Sequence, residues 1–200
     1  MTYEFEHRAH EEGFAVVCGV DEAGRGPLAG PVYAAAVILP DGLEDMGIND
    51  SKKMSEKKRE ALFDIIIENA TAYGIGFATE TEIDEINILN ATFLAMRRAV
   101  EAMGVKPDLV LVDGNRKPNT GYEEMTLVKG DAKSISISAA SILAKVSRDR
   151  YMKDLAQRHP EYKFEQHKGY GTKLHYERIA AFGPSPIHRM TFLKKLYGTK

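Results

Sequence analysis

The sequence predicts an α/β domain built on a mixed sheet with helices on both faces. Two observations carry that expectation. Short apolar runs, each bounded by turn residues, are rich in β-branched side chains, while longer segments place apolar residues at helical spacing. Three strands come early and helices alternate with two more, an order that suits a sheet covered on both sides. Residues 15–20 are apolar and stop at Asp21-Glu22, a buried first strand closed by acids. Residues 32–39, between Pro31 and Pro40, give the second strand, and 71–79 the third. A helix over 55–69 puts Leu62, Ile65, Ile66 and Asn69 on one face, with Ser55 as its N-cap. A second helix is predicted over 87–103, where Phe93, Met96, Arg97 and Val100 recur at helical spacing and Gly104 stops the helix. Residues 108–113 (DLVLVD) read as a buried strand and 125–128 as a short one. A long helix over 136–159 ends before Pro160, and the basic, aromatic last forty residues are expected to be helix and loop.

Composition narrows the function classes. A chain of 200 residues fits one domain, and 44% hydrophobic with 28% charged residues argues against a disordered, collagenous or membrane protein. The longest apolar run, 32–39, is far short of the ~20 residues a membrane helix needs. The acidic N-terminus has no apolar core and is not a secretory signal. One cysteine, Cys18, permits neither an internal disulfide nor a thiolate metal cluster, so a reducing, cytoplasmic home is expected. The net charge of −2 hides an asymmetry. Residues 1–100 carry 9 Lys/Arg and 18 Asp/Glu, whereas residues 101–200 carry 18 and 11. Such imbalance points to a polyanion partner or to mere uneven scatter.

Four acids stand at strand ends or after a turn glycine: Asp21 and Glu22, Asp113 before Gly114, and Asp131 after Lys129-Gly130. Open α/β sheets carry their sites at the carboxyl ends of strands. Carboxylates gathered there repel one another unless cations sit between them, and hard oxygen ligands suit Mg²⁺ or Mn²⁺. Two such ions ~3.5–4 Å apart activate a water and stabilise a leaving oxygen in phosphodiester hydrolysis. The alternative is that the acids are surface caps and turn formers.

Residues 23–31 (AGRGPLAGP) match neither a Walker A loop nor a dinucleotide fingerprint. Gly24 and Gly26 leave the backbone bare for close approach to a ligand, and Arg25 adds a forked donor. A tight strand connection is the plainer reading, but the position directly after Asp21-Glu22 makes a metal site and a backbone-reading surface contiguous. Residues 50–59 (DSKKMSEKKR) hold five cations, with Lys57 and Lys58 in the first helical turn, where they oppose the helix dipole. A bound phosphate or plain solvation would each answer that conflict. Lys145 and Arg148 lie one turn apart on the long helix. Tyr170, between Gly169 and Gly171 in a basic stretch, offers a flat ring for stacking on a base or ribose, or a core residue at a turn. His159, His167, His175 and His188 lack metal-ligand spacing.

These residues carry a family resemblance. DEAGRGPLAGPV at 21–32, DSKKMSEKKR at 50–59, EIDEINILNATFLAM at 82–96, LVDGN at 111–115, KGDAKSISISAASILAKVSRDR at 129–150 and HKGYGT at 167–172 closely resemble bacterial ribonuclease HII, in consistent order from about residue 14 to the end. The resemblance implies a ribonuclease H-like mixed five-stranded sheet with a helical C-terminal region. It implies one catalytic domain over 1–200, with a leader at 1–13 and a basic substrate-binding region at about 160–200. It implies an endoribonuclease that uses Mn²⁺ or Mg²⁺, two ions in the active complex, to cut RNA in RNA–DNA hybrids. It further implies incision 5′ of single ribonucleotides in duplex DNA, leaving 3′-hydroxyl and 5′-phosphate ends, the start of ribonucleotide excision repair. By motif, Asp21, Glu22, Asp113 and Asp131 resemble the metal-binding acids. Gly24, Arg25 and Gly26 resemble the loop that reads the ribose 2′-hydroxyl. Tyr170 resembles the tyrosine at the RNA–DNA junction, and Lys52 a phosphate contact. The ~13 residues before the first strand disfavour the ribonuclease HIII branch, which usually carries an extra N-terminal domain, and no C-terminal sliding-clamp motif is recognisable. The expected protein is a monomer with nucleic-acid partners and no membrane. A metal-dependent DNA nuclease and a non-catalytic nucleic-acid-binding domain on the same fold are the rival readings.

Overall fold

Strands β1 (Val17–Ala23), β2 (Val32–Ile38), β3 (Ala72–Ala78), β4 (Leu109–Asp113) and β5 (Glu123–Leu127) make one sheet in the order β3-β2-β1-β4-β5. The pairs β1–β2 and β2–β3 are antiparallel, and β1–β4 and β4–β5 are parallel, so the sheet is mixed as expected. This computed structural model describes residues 3–43, 47–48 and 54–197. The helices are α1 (Glu4–Glu11), α2 (Glu56–Asn69), α3 (Glu80–Ala102), α4 (Ile135–Arg158), α5 (Phe164–His167), α6 (Lys173–Phe182) and α7 (Lys194–Tyr197). No helix among the described residues is long and apolar enough to cross a membrane.

Strand alternation divides the core between two faces. Cys18, Val20, Ala34, Val110 and Val112 pack with Ala95, Met96 and Ala99 of α3. Ala35 and Val37 pack on the other face with Ile66 of α2 and Ile142 and Leu143 of α4. Gly19 decides how closely α4 approaches: a Cβ at this position would collide with the backbone of Ser136 and Ile137. Helix α4 therefore lies directly on β1, near the acids at its end. Cys18 is fully buried, and burial pushes its thiol up to about 12.

The structure corrects two expectations. Strand β1 does not stop at the acids; it runs through Asp21 and Glu22 to Ala23, because β2 goes on pairing with it (Asp21↔Ala35, Glu22↔Ala34). Helix α2 lies between β2 and β3, where the predicted helix over 55–69 falls between the strands at 32–39 and 71–79. Helix α3 starts at Glu80, not at residue 87. Thr79 caps it in a reciprocal box: its hydroxyl accepts the Glu82 N–H at 3.2 Å, and Glu82 accepts the Thr79 N–H at 2.9 Å. At Asn87 the backbone leaves helical geometry (φ 66°, ψ 163°), and its side chain accepts the Leu89 and Asn90 amides, capping a second segment. Residue 87 is thus the start of that second segment. The stretch expected as a leader holds α1, whose buried Glu6 accepts hydrogen bonds from Ser134 Oγ at 2.6 Å and Ser136 N–H at 3.1 Å. It thereby clamps the beginning of α4.

Candidate active site

Parallel pairing of β1 with β4 runs from Val17↔Leu109 to Val20↔Val112. One position further in the same register, Asp21 stands beside Asp113, the last residue of β4. Alternation turns Asp21 toward α4 and Glu22 toward α3. Asp21 is buried, and its Oδ1 accepts the Glu22 N–H at 2.7 Å. Burial first, then the Glu22 and Asp113 carboxylates, push the Asp21 carboxyl well above the usual carboxylate range, against a hydrogen bond with Ser141 of α4. Asp131 lies buried in the 3₁₀ turn Gly130–Ala132 after β5. That turn docks on β4, since Gly130 N–H donates to Asp113 Oδ1 at 2.6 Å.

Glu22 and Asp113 thus lie within electrostatic reach of Asp21, and the Gly130 hydrogen bond sets the turn that carries Asp131 against β4. Among the described residues no three His, Cys, Asp or Glu side chains stand close enough to enclose an ion as they are. The donor chemistry nonetheless fits a divalent cation. Asp21 offers hard oxygen donors held among like charges in a buried position, where a cation would stabilise the ionised form.

The Gly-rich loop follows β1 directly. Gly24 is buried with φ +97°, in the left-handed region that glycine favours, while Arg25 and Gly26 are exposed. Arg25 Nη1 pairs with Glu22 Oε1 at 3.3 Å. Behind the loop stand two guanidiniums, both 0% exposed. Arg189 donates to the carbonyls of Gly24 (2.6 Å), Arg25 (2.9 Å) and Gly30 (2.9 Å). Arg148 donates to Pro31 (3.0 Å), Ala29 (3.1 Å) and Lys168 (3.0 Å). Burial, then the nearby Arg148, pulls the Arg189 pKa down to about 9, which leaves it protonated at neutral pH. The sequence presents Arg148 as a basic residue one turn from Lys145 and gives Arg189 no distinguishing mark. A buried arginine satisfied by main-chain carbonyls has no local signature.

Tyr170 is 42% exposed. Lys145 Nζ lies 5.7 Å and Arg148 Cζ 5.8 Å from its ring centroid, so the ring is flanked by cations. Its Cε1 is 4.0 Å from where a Cβ on Gly26 would stand, which puts the ring against the Gly-rich loop. A cleft between the strand ends and α3 is lined by Glu22, Arg25, Phe93, Asp113 and Arg116. Lys52 lies outside the described residues.

Comparisons with known proteins agree with one another. The family described as Ribonuclease HII matches residues 18–195. A protein of Caldicellulosiruptor bescii named Ribonuclease HII is 54% identical over 194 residues, 97% of this chain and 94% of its own length. The crystal structure of ribonuclease H2 from Pyrococcus horikoshii OT3 superposes with a TM-score of 0.73 at 32% identity, covering 88% of this chain and 92% of that one. A ribonuclease HII from Archaeoglobus fulgidus, solved in complex with PCNA, gives a TM-score of 0.75 at 25% identity, covering 92% and 95%.

Proposed function

This chain belongs to the ribonuclease HII family, has the ribonuclease H-like fold and is an endoribonuclease acting on RNA–DNA; from that premise we propose that it cuts beside single ribonucleotides in duplex DNA with two divalent ions held by Asp21, Glu22, Asp113 and Asp131. The carrying observation is the side-by-side placement of Asp21 and Asp113 on neighbouring parallel strands, with the Gly-rich loop continuing from the same strand. When bound, Mg²⁺ or Mn²⁺ ions at such a site lower the pKa of a water and stabilise a leaving oxygen. The protein's own part is to aim the substrate. All described peptide bonds are trans, so carbonyls of Gly24 and Arg25 that point at Arg189 leave the amides of Arg25 and Gly26 pointing the other way. Those amides are suited to donate to a ribose 2′-hydroxyl, the group that separates RNA from DNA. Tyr170 offers its exposed ring face to the neighbouring sugar or base. Lys52 is assigned to a phosphate on the motif alone. The test is to map cuts in a duplex with one embedded ribonucleotide, with Mg²⁺, Mn²⁺ and chelator. Incision 5′ of the ribonucleotide, leaving a 3′-hydroxyl and lost on chelation, is expected; cuts elsewhere, or cuts in chelator, refute the reading.

Two further outcomes follow from this arrangement. Tyr170→Ala should lower cleavage more than Tyr170→Phe, because stacking on a base is worth ~1–3 kcal/mol and needs only the ring. Equal losses in steady-state kinetics would assign the work to the hydroxyl instead. Binding should also weaken steeply with salt despite the net charge of −2, because residues 129–200 hold 15 Lys/Arg against 6 Asp/Glu. Each phosphate neutralised lowers log K by ~0.9 per decade of salt. Arg148 and Arg189 are sealed inside and release no counterions, so the slope should fall short of what composition suggests. A slope near zero would place the positive charge away from the interface.

A further inference from the structure

We propose that His188 and Arg189 form a bracket that sets Tyr170 against the Gly24-Arg25-Gly26 loop, with His175 and His188 as positioning residues for ribonucleotide recognition. The inference rests on the reading of Tyr170 and the loop as substrate-facing. Hydrogen-bond chemistry fixes the state of each ring. The Ser185 N–H donates to His188 Nδ1 at 2.9 Å, and an amide can only donate, so Nδ1 carries no proton. The His188 proton is therefore on Nε2, which faces His175 Nε2 at 3.1 Å. His175 Nε2 must accept, which leaves its own proton on Nδ1, aimed at the Tyr170 carbonyl at 3.0 Å. A third ring completes the clamp. His167 Nδ1 accepts the Gly169 N–H at 3.2 Å, its Nε2 donates to the Tyr162 carbonyl at 2.9 Å, and its ring stacks on His175 with centroids 4.3 Å apart. The Gly169-Tyr170 segment is thus held from both ends by neutral imidazoles whose nitrogens are all committed. Burial, opposing protonation, pulls His175 and His188 down to about 4, in keeping with this assignment.

The other side of the bracket grips the Gly-rich loop. His188 bridges Ala29, the Arg189 N–H donates to Leu28 O at 2.8 Å, and the Arg189 guanidinium takes the Gly24, Arg25 and Gly30 carbonyls. Leu28 N–H also donates to Gly169 O at 2.8 Å, tying the two loops directly. Two adjacent residues therefore register both surfaces to each other, and a shift of either would change the gap between the ring and the loop amides.

The experiment is a double-mutant cycle read on a duplex with one embedded ribonucleotide. His175→Phe keeps a ring to pack on Phe164 but loses the donor to Tyr170, whereas His175→Asn keeps an N–H near the Nδ1 position. His175→Phe should lower kcat/KM about tenfold, within the range of coupling between residues in contact, and His175→Asn should restore most of it. In a Tyr170→Ala background the His175→Phe loss should largely vanish. Undiminished loss in that background would overturn the inference alone. A harmless Tyr170→Ala would overturn the reading beneath it. A second measurement needs no variant: ring ¹⁵N shifts of the wild-type protein should show His175 protonated on Nδ1 and His188 on Nε2, and the opposite tautomer at His175 would equally overturn the relay.

Discussion

Asp21→Asn should abolish incision, by about 10³-fold or more, the scale of the several kcal/mol that metal-assisted charge stabilisation supplies. The same substitution should leave the protein folded and able to bind duplex. Asp21 is buried beside Asp113 and Glu22, and the amide keeps its shape while losing the charge needed to hold a divalent ion. Measured in chelator, the variant should be more stable than wild type. Burial and two neighbouring carboxylates disfavour the ionised form in the folded state, so deleting the charge removes that cost. Each kcal/mol recovered is worth about 2–4 °C of melting temperature for a chain of this size. The opposed signs, activity lost and stability gained, are what a strained functional carboxylate gives and a surface cap does not. Asp113→Asn keeps an oxygen for the Gly130 amide and should be severely impaired in the same way, as should Asp131→Asn. Near-normal turnover by Asp21→Asn in Mg²⁺ would sink the metal assignment.

The second large effect is discrimination at the 2′-hydroxyl. A site built to hydrogen-bond a hydroxyl rejects the analogue lacking it by ~10⁴–10⁵, so replacing the embedded ribonucleotide by its 2′-deoxy form should remove cleavage there. The 2′-O-methyl form should also be poor, having lost the donor and gained bulk. The structure separates the two glycines that such a test would change. A Cβ on Gly24 would run into Arg148, and its φ of +97° is strained for any other residue, so Gly24→Ala should disturb the loop itself and lower the melting temperature. A Cβ on Gly26 meets only Tyr170 Cε1, at 4.0 Å, an ordinary contact. Gly26→Ala should therefore fold normally and still cut poorly, because the new methyl stands where the sugar must approach. Comparing the three duplexes with wild type and both variants, alongside thermal melts, checks each part. Efficient cutting of the all-deoxy duplex by wild type would refute the single-ribonucleotide reading and favour a DNA nuclease.

Most of the sheet was legible because its strands are short apolar runs between turn residues, and four acids fall at three strand ends. Where the reading failed, the governing interaction was distant or polar. Strand β1 runs past Asp21 because β2 continues to pair, which no local pattern announces. The first segment of α3 holds Glu80, Glu82, Asp84 and Glu85 with Ile83 as its one fully buried apolar residue, so its signal was the Thr79–Glu82 capping box and not periodicity. Arg148 showed only as a basic residue one turn from Lys145 and Arg189 carried no mark, yet each binds carbonyls more than a hundred residues away in sequence, at Pro31 and Ala29 or at Gly24, Arg25 and Gly30. The histidines lack metal-ligand spacing, and the grouping of His167, His175 and His188 around Tyr170 depends on three separate segments meeting.

The single thiol has a practical consequence. Cys18 sits inside the sheet with no exposed surface and a thiol pushed up to about 12, so almost none of it exists as the reactive thiolate under ordinary alkylating conditions. A cysteine introduced at an exposed position such as Lys106 would then be the one site a maleimide dye reaches in the native protein. Fluorescent tracking of the molecule along DNA can start from the natural background, with the core residue left in place and the packing of β1 against α3 undisturbed.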